Sequence, residues 1–217
     1  SLISCLLLHE GFVEGKMIGG DSTDLWNSLW NVDFFWRSLY SFELPTQTDL
    51  LNTPYGGSIW ISDFLGTITM GPFVSLFGWD WGYQIWLVLS CTLLGWCTHA
   101  FSLELGAKHG AWISGVSVLF SGVFLSSLHN GASEGIGFFW LVLGVWKVWS
   151  AHNQTSRWYV GFGCAILAGI SSWYSAVMMG IFWLGLCFLD HRSRQWKLLF
   201  MWFGLFIPLA YCSLLLT

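Results

Sequence analysis

The sequence predicts an all-α protein that crosses a membrane several times, and three observations carry that reading. First, 55% of the 217 residues are hydrophobic and only 9% are charged, against about 25% charged in a soluble domain. That leaves too little polar surface to face water all round. Second, apolar, tryptophan-rich runs fill the chain beyond residue 81, with almost no charge inside them. Third, charge is divided along the chain. Glu10, Glu14, Asp21, Asp24, Asp33, Glu43, Asp49, Asp63 and Asp80 precede the first long run, and only Lys16 and Arg37 oppose them.

The 17 Trp and 25 Gly fit this class, because aromatics favour membrane interfaces and Gly is commoner in spanning helices than in soluble ones. The net charge of -4 gives no basic stripe for nucleic acid. Cys5, Cys91, Cys97, Cys164, Cys187 and Cys212 each sit in an apolar run with no CxxC spacing, so they read as small buried hydrophobes.

Taken in order, residues 1–12 read as the tail of a first transmembrane helix. The chain opens and closes inside apolar runs, as expected of a piece of a longer protein or of a processed terminus. Residues 13–81 read as an external loop holding two surface or partly embedded helices. In the first, Asp24–Tyr40, the residues Leu25, Leu29, Val32 and Trp36 fall at helical spacing, with Leu39 following. That is an amphipathic helix on the membrane surface, capped by Ser22, Thr23 or Asp24. A turn follows at Thr53-Pro-Tyr-Gly-Gly57. The second helix, Ile59–Phe77, is apolar enough to span but contains Asp63, Gly66, Gly71 and Pro72.

Residues 82–217 read as a bundle of about six spanning helices. Gly82–Leu105, Ala111–Leu128 and Glu134–Trp149 are the first three, and Trp196–Leu216 closes the chain. Trp158–Leu189 is too long for one crossing, so Gly169-Ile-Ser-Ser172 reads as a tight turn between two short helices. With that split, Lys108, Lys147, Arg157, Arg192, Arg194 and Lys197 all fall on one side, which the positive-inside rule assigns to the cytoplasm. The acidic segment and the turn His129–Ala132 are then periplasmic or luminal. Glu104 and Lys108, four residues apart, read as an interfacial pair.

Three groups of residues suit chemistry. In Gly19-Gly-Asp-Ser-Thr-Asp24, Asp21 and Asp24 suit a divalent cation such as Mg²⁺ or Mn²⁺, or a general base; the bland reading is a helix cap and a solvated loop. His129-Asn-Gly-Ala-Ser-Glu134 gathers His129, Asn130 and Glu134 at the same face. There, His129 joins Asp21 and Asp24 as a metal ligand, against plain anchoring of helix ends. Asn52-Thr-Pro-Tyr-Gly-Gly57 with Asp63 is a rigid turn or part of a substrate wall. Arg37 suits a phosphate, against an ion pair with Asp33 four residues away.

The arrangement resembles the GT-C superfamily of membrane glycosyltransferases, such as protein mannosyltransferases and aminoarabinose transferases. The resemblance lies in Asp21 within Gly19-Gly-Asp-Ser just past a first span, and in Thr53–Gly57, Asp63, Gly71-Pro72, Gly78 and Tyr83 leading to the second span. It continues in His129–Glu134 as the second external loop. Members usually carry more spans than this chain shows. The resemblance implies a GT-C-like bundle and a sugar moved from a polyprenyl-phosphate donor to a hydroxyl acceptor. Asp21 would be the base, Asp24, Arg37, His129, Asn130 and Glu134 would position donor or acceptor, and Asp21, Asp24 and His129 would hold a cation.

Two other classes compete. One is a non-catalytic subunit of a larger membrane complex, with lipids and membrane proteins as partners. The other is a transporter, against which the sequence shows no chain of intramembrane carboxylates and no internal repeat.

Overall fold

The computed structural model describes residues 4, 8, 9, 17–20, 22–49, 55–58, 63–153 and 158–189. Asp21, residues 52–54, Arg157, and the final predicted span with its Arg192, Arg194 and Lys197 cluster lie outside them. The chain is mostly α-helical and divides into two units, Ser1–Leu89 with Gly122–Ile136, and Ser90–Ser121 with Gly137–Thr217.

In the first unit, α1 spans Thr23–Tyr40. Ser22 is extended (φ -102°, ψ 140°), and its hydroxyl accepts the Asp24 N–H at 3.2 Å, which makes it the N-cap. Leu25, Leu29, Val32, Phe35 and Ser38 face inward. Trp36 is half-buried and Leu39 is 48% exposed, so Phe35 takes the place on the packed stripe expected of Trp36. The helix stops at Phe42, a non-glycine residue at φ 58° that lets the Glu43 N–H reach back to the Ser38 carbonyl at 2.8 Å. A short antiparallel pair follows, β1 (Gln47–Thr48) against β2 (Gly57–Ser58).

The segment after Asp63 is one long helix, α2, over Phe64–Glu104, broken at Gly78 (φ 77°, ψ 173°). A side chain at Gly78 would meet nothing within 4 Å, so glycine is needed there for its left-handed backbone and not for space. The first arm, 64–77, covers the later part of the expected second helix, Ile59–Phe77, whose residues 59–62 lie outside the described residues. The helix breaks at Gly78, four residues ahead of the expected start of the next helix at Gly82. Trp36 crosses the first arm at Gly71, where any Cβ would overlap its indole, and Trp36 Nε1 donates to the Thr67 carbonyl at 3.1 Å.

The run expected as one span over Ala111–Leu128 is two nine-residue helices, α3 (Ala111–Leu119) and α4 (Gly122–Asn130). They part where Ser121 bonds the Val118 carbonyl through both its N–H and its hydroxyl, ahead of Gly122. Glu134 lies in a separate four-residue helix, α5 (Ser133–Ile136), and α6 starts afresh at Phe139 and runs to Asn153.

In the second unit, α7 (Trp158–Ser171) and α8 (Trp173–Leu189) pack with α6. Their core is Val148, Ala165, Ala168, Met179, Trp183 and Leu186. Small residues allow close approach: a Cβ on Gly144 would lie 2.8 Å from Ala168 Cβ, and one on Gly161 would lie 2.7 Å from Ala151 Cβ. The break at Ser172 sits in the expected turn, because the Ser172 hydroxyl accepts the Ser175 N–H at 3.1 Å and caps α8. Glu104 departs from its expected pairing with Lys108. Its carboxylate instead takes the Trp146 Nε1–H at 2.6 Å and the Ser150 hydroxyl, both on α6.

Among the described residues, two helical stretches, Phe64–Glu104 and Ala111–Asn130, are long and apolar enough to cross a membrane.

Candidate functional site

The polar joint of the first unit is built from three stretches far apart in sequence. The first is the turn at residues 17–20, where the Ser22 N–H bonds the Gly19 carbonyl at 2.9 Å and Gly19 adopts φ 83°. The second is the α4–α5 connection, where Gly131 adopts φ 67°. The two glycines meet backbone to backbone: a Cβ on Gly19 would lie 2.6 Å from the Gly131 nitrogen, and one on Gly131 would lie 2.6 Å from Leu25 Cβ. No side chain fits at either position. Ser28 on α1 completes the seam, its hydroxyl lying 3.4 Å from the Gly131 carbonyl and 3.3 Å from the Ser133 hydroxyl. The Tyr83 hydroxyl donates to the Ile18 carbonyl at 3.1 Å, tying the same turn to α2.

The third stretch is Asp63, just ahead of α2. It is a helix cap: Oδ1 accepts the Gly66 N–H at 2.7 Å, and its carbonyl accepts the Thr67 N–H at 3.0 Å. It is also only 2% exposed. Burial pushes its carboxyl up from 3.8 to about 7, and the charge of Glu134 adds to the rise. The Gly66 N–H and the Ser133 hydroxyl act the other way. Although Ser133 is close enough to exert that pull, Oδ2 makes no hydrogen bond of proper geometry.

The residues expected to carry chemistry are divided by this geometry. Glu134 is half-buried beside Asp63, and Asn130 is half-buried with its carbonyl carbon 3.1 Å from a Cβ placed on Gly19. His129 is exposed in the last turn of α4, and Asp24 is exposed in the first turn of α1. Arg37 is paired, its Nε 2.9 Å from Asp33, with its side chain 78% exposed. Asp21 lies outside the described residues. Among the described residues, no three His, Cys, Asp or Glu side chains gather closely enough to hold a metal ion.

Asp63 is the group that sequence reasoning undervalued. A carboxylate immediately before an apolar helical run is a cap signal, and that much is visible in the sequence. The residues of α5 that act on it, Ser133 and Glu134, lie some 70 residues later and have no local signature.

No family model matches the chain, and neither curated proteins nor solved structures show significant similarity to it.

Proposed function

We propose that the chain is a multi-pass membrane glycosyltransferase of the GT-C kind, moving a sugar from a polyprenyl phosphate to a hydroxyl acceptor at the periplasmic or luminal face. The observation that carries the reading is the seating of the His129–Glu134 loop on the segment containing Gly19, Gly20 and Ser28. The GT-C resemblance needs those two external stretches together, and they share no sequence proximity. The amphipathic α1 supports it further, since its packed stripe leaves Trp26 and Tyr40 exposed, as suits a headgroup layer.

In this reading Asp21 takes the proton of the acceptor hydroxyl as its oxygen attacks the anomeric carbon. The new C–O bond forms as the bond to phosphate breaks. Polyprenyl phosphate leaves with the bonding pair, and a single displacement inverts the configuration. Asp24, His129, Asn130 and Glu134 position the donor phosphate or the acceptor, and Asp21, Asp24 and His129 are the residues that would hold a divalent cation, Mg²⁺ or Mn²⁺. Arg37 serves a phosphate only after leaving Asp33. The acidic segment faces the periplasm or lumen, and the basic connections face the cytoplasm.

The test is transfer by the purified full chain in proteoliposomes containing a polyprenyl-phosphate sugar and a soluble hydroxyl acceptor. Wild type forms glycosylated product, and Asp21→Asn loses about 10²–10⁴-fold. Absence of product with wild type across sugar donors overturns the reading; undiminished transfer by the variant overturns the role of Asp21.

A second reading, a non-catalytic subunit of a membrane complex, is favoured by one feature. The Gly19–Gly131–Leu25 contact is packed without room for a methyl group, as in a rigid scaffold. Co-purification of a stoichiometric membrane partner together with absent transfer selects it.

A further inference from the structure

The Asp63 carboxyl sits where the start of α2 meets α5, and Ser28 links that junction to α1. It is held in place on one side and left unsatisfied on the other. Oδ1 has the Gly66 N–H at 2.7 Å, whereas Oδ2 is buried with no hydrogen-bond partner. Any Cβ on Gly66 would overlap the carboxyl, so the glycine is what lets it lie against the helix. Ionised, this group is a buried anion with an unsatisfied oxygen, under the like charge of a second carboxylate, Glu134, an arrangement that costs free energy. Protonated, it is a neutral donor beside the Ser133 hydroxyl, which is itself buried.

We propose that Asp63 is a proton-operated latch between the start of α2 and the α4–α5 connection, closed when the carboxyl is protonated and released when it ionises. Titration at about 7 places the switch in the physiological range. Glu134 on α5 is the ionisable side chain acting on it among the described residues. Its own helix presents the Gly66 N–H, and α1 presents the uncharged Ser28 hydroxyl by way of Ser133. On α1, the Arg37 charge is engaged by Asp33.

The sign follows from linkage. Once the connection lifts and Asp63 is solvated, its carboxyl returns toward 3.8, against about 7 when closed. The closed form therefore holds the extra proton between those limits. The opening constant rises with pH from about 4 to about 7 and is flat above, by up to roughly a thousandfold. The proposal stands independently of the transferase reading.

Hydrogen–deuterium exchange of the full chain in nanodiscs, corrected for the intrinsic pH dependence of exchange, reads the opening directly. Peptides covering residues 128–136 lose protection in wild type as pH rises toward about 7. Asp63→Asn, a permanently neutral analogue, abolishes that dependence, and Glu134→Gln moves it to lower pH. Infrared difference spectra of wild type show a protonated carboxyl band that disappears over the same range. Protection that does not change with pH in wild type, or a pH dependence that survives unchanged in Asp63→Asn, overturns the latch. If Asp63→Asn fails to fold, the wild-type infrared titration and the Glu134→Gln shift decide: a missing carboxyl band or an unmoved midpoint overturns it.

Discussion

Gly95 on α2 and Gly115 on α3 meet backbone to backbone: a Cβ on Gly115 would lie 2.6 Å from the Gly95 carbonyl oxygen, and one on Gly95 would lie 3.1 Å from the Gly115 carbonyl. In lipid the hydrophobic effect does not draw one helix to another, so association relies on close packing, and glycine permits the closest. Gly163 on α7 is the contrast within the same unit, with open space where its Cβ would be.

Gly115→Ala is therefore expected to destabilise the protein by about 1–3 kcal/mol, because backbone and not a flexible side chain blocks the new methyl. Gly163→Ala is expected to be neutral or to stabilise by up to about 1 kcal/mol through helix propensity. Thermal unfolding in one detergent compares them, and equal effects would refute the role of the Gly95–Gly115 contact.

The Glu104 carboxylate binds α6 through the Trp146 indole and the Ser150 hydroxyl, and Trp146 in turn packs edge-on against Trp96 with centroids 5.7 Å apart. A double-mutant cycle of Glu104→Gln and Trp146→Phe is expected to give a coupling of about 1–3 kcal/mol. The same cycle with Lys108→Met in place of Trp146→Phe is expected to give a coupling near zero, as for an exposed pair.

Global stability is expected to depend on pH through Asp63. The native carboxyl titrates at about 7 and the unfolded one near 3.8, so the native state binds more protons between those values. Stability attributable to this group is complete below about 4, falls as pH rises, and is fully lost above about 7, by roughly 4 kcal/mol at most. Asp63→Asn flattens that part of the profile and is more stable than wild type above neutrality. Chemical denaturation at a series of pH values checks this; a wild-type profile rising from acid to neutral would contradict it.

The proposed topology puts His129 and Lys108 on opposite sides of the membrane. In a cysteine-free background, His129→Cys is expected to react with a membrane-impermeant maleimide added from outside intact cells, and Lys108→Cys only after permeabilisation. Labelling of both from the same side would require a different arrangement of spans.

Much of the helical layout was legible in the residues. Leu25, Leu29 and Val32 repeat at helical spacing and are buried. Ser172 ends one helix and caps the next within the turn expected there. Where local patterns misled, a distant partner was responsible. Trp36 looked like a core residue of α1, but its indole is drawn across Gly71 to the Thr67 carbonyl and stays half-buried. Glu104 had Lys108 at ideal helical spacing, yet Trp146 and Ser150, more than forty residues on, take its carboxylate. Ala111–Leu128 is different: the run is long and apolar enough to cross a membrane, and its interruption is local, Ser121 bonding the Val118 carbonyl three residues back.

By itself the sequence determined a mostly helical chain with apolar stretches long enough to cross a membrane, a capped amphipathic helix from residue 24, and an excess of acid over base in its first part. Caps, periodicity and hydropathy act over a few residues, so neighbouring residues suffice to specify them. Only the tertiary structure decided that the turn at Gly19 would lie on Gly131, and that Asp63 would be sealed beside Ser133 and Glu134. The ionisation of a carboxylate depends on the solvent and charge it finds in three dimensions. Here a segment some 70 residues away in the chain supplies the Ser133 hydroxyl and the like charge of Glu134 that act on the buried carboxyl.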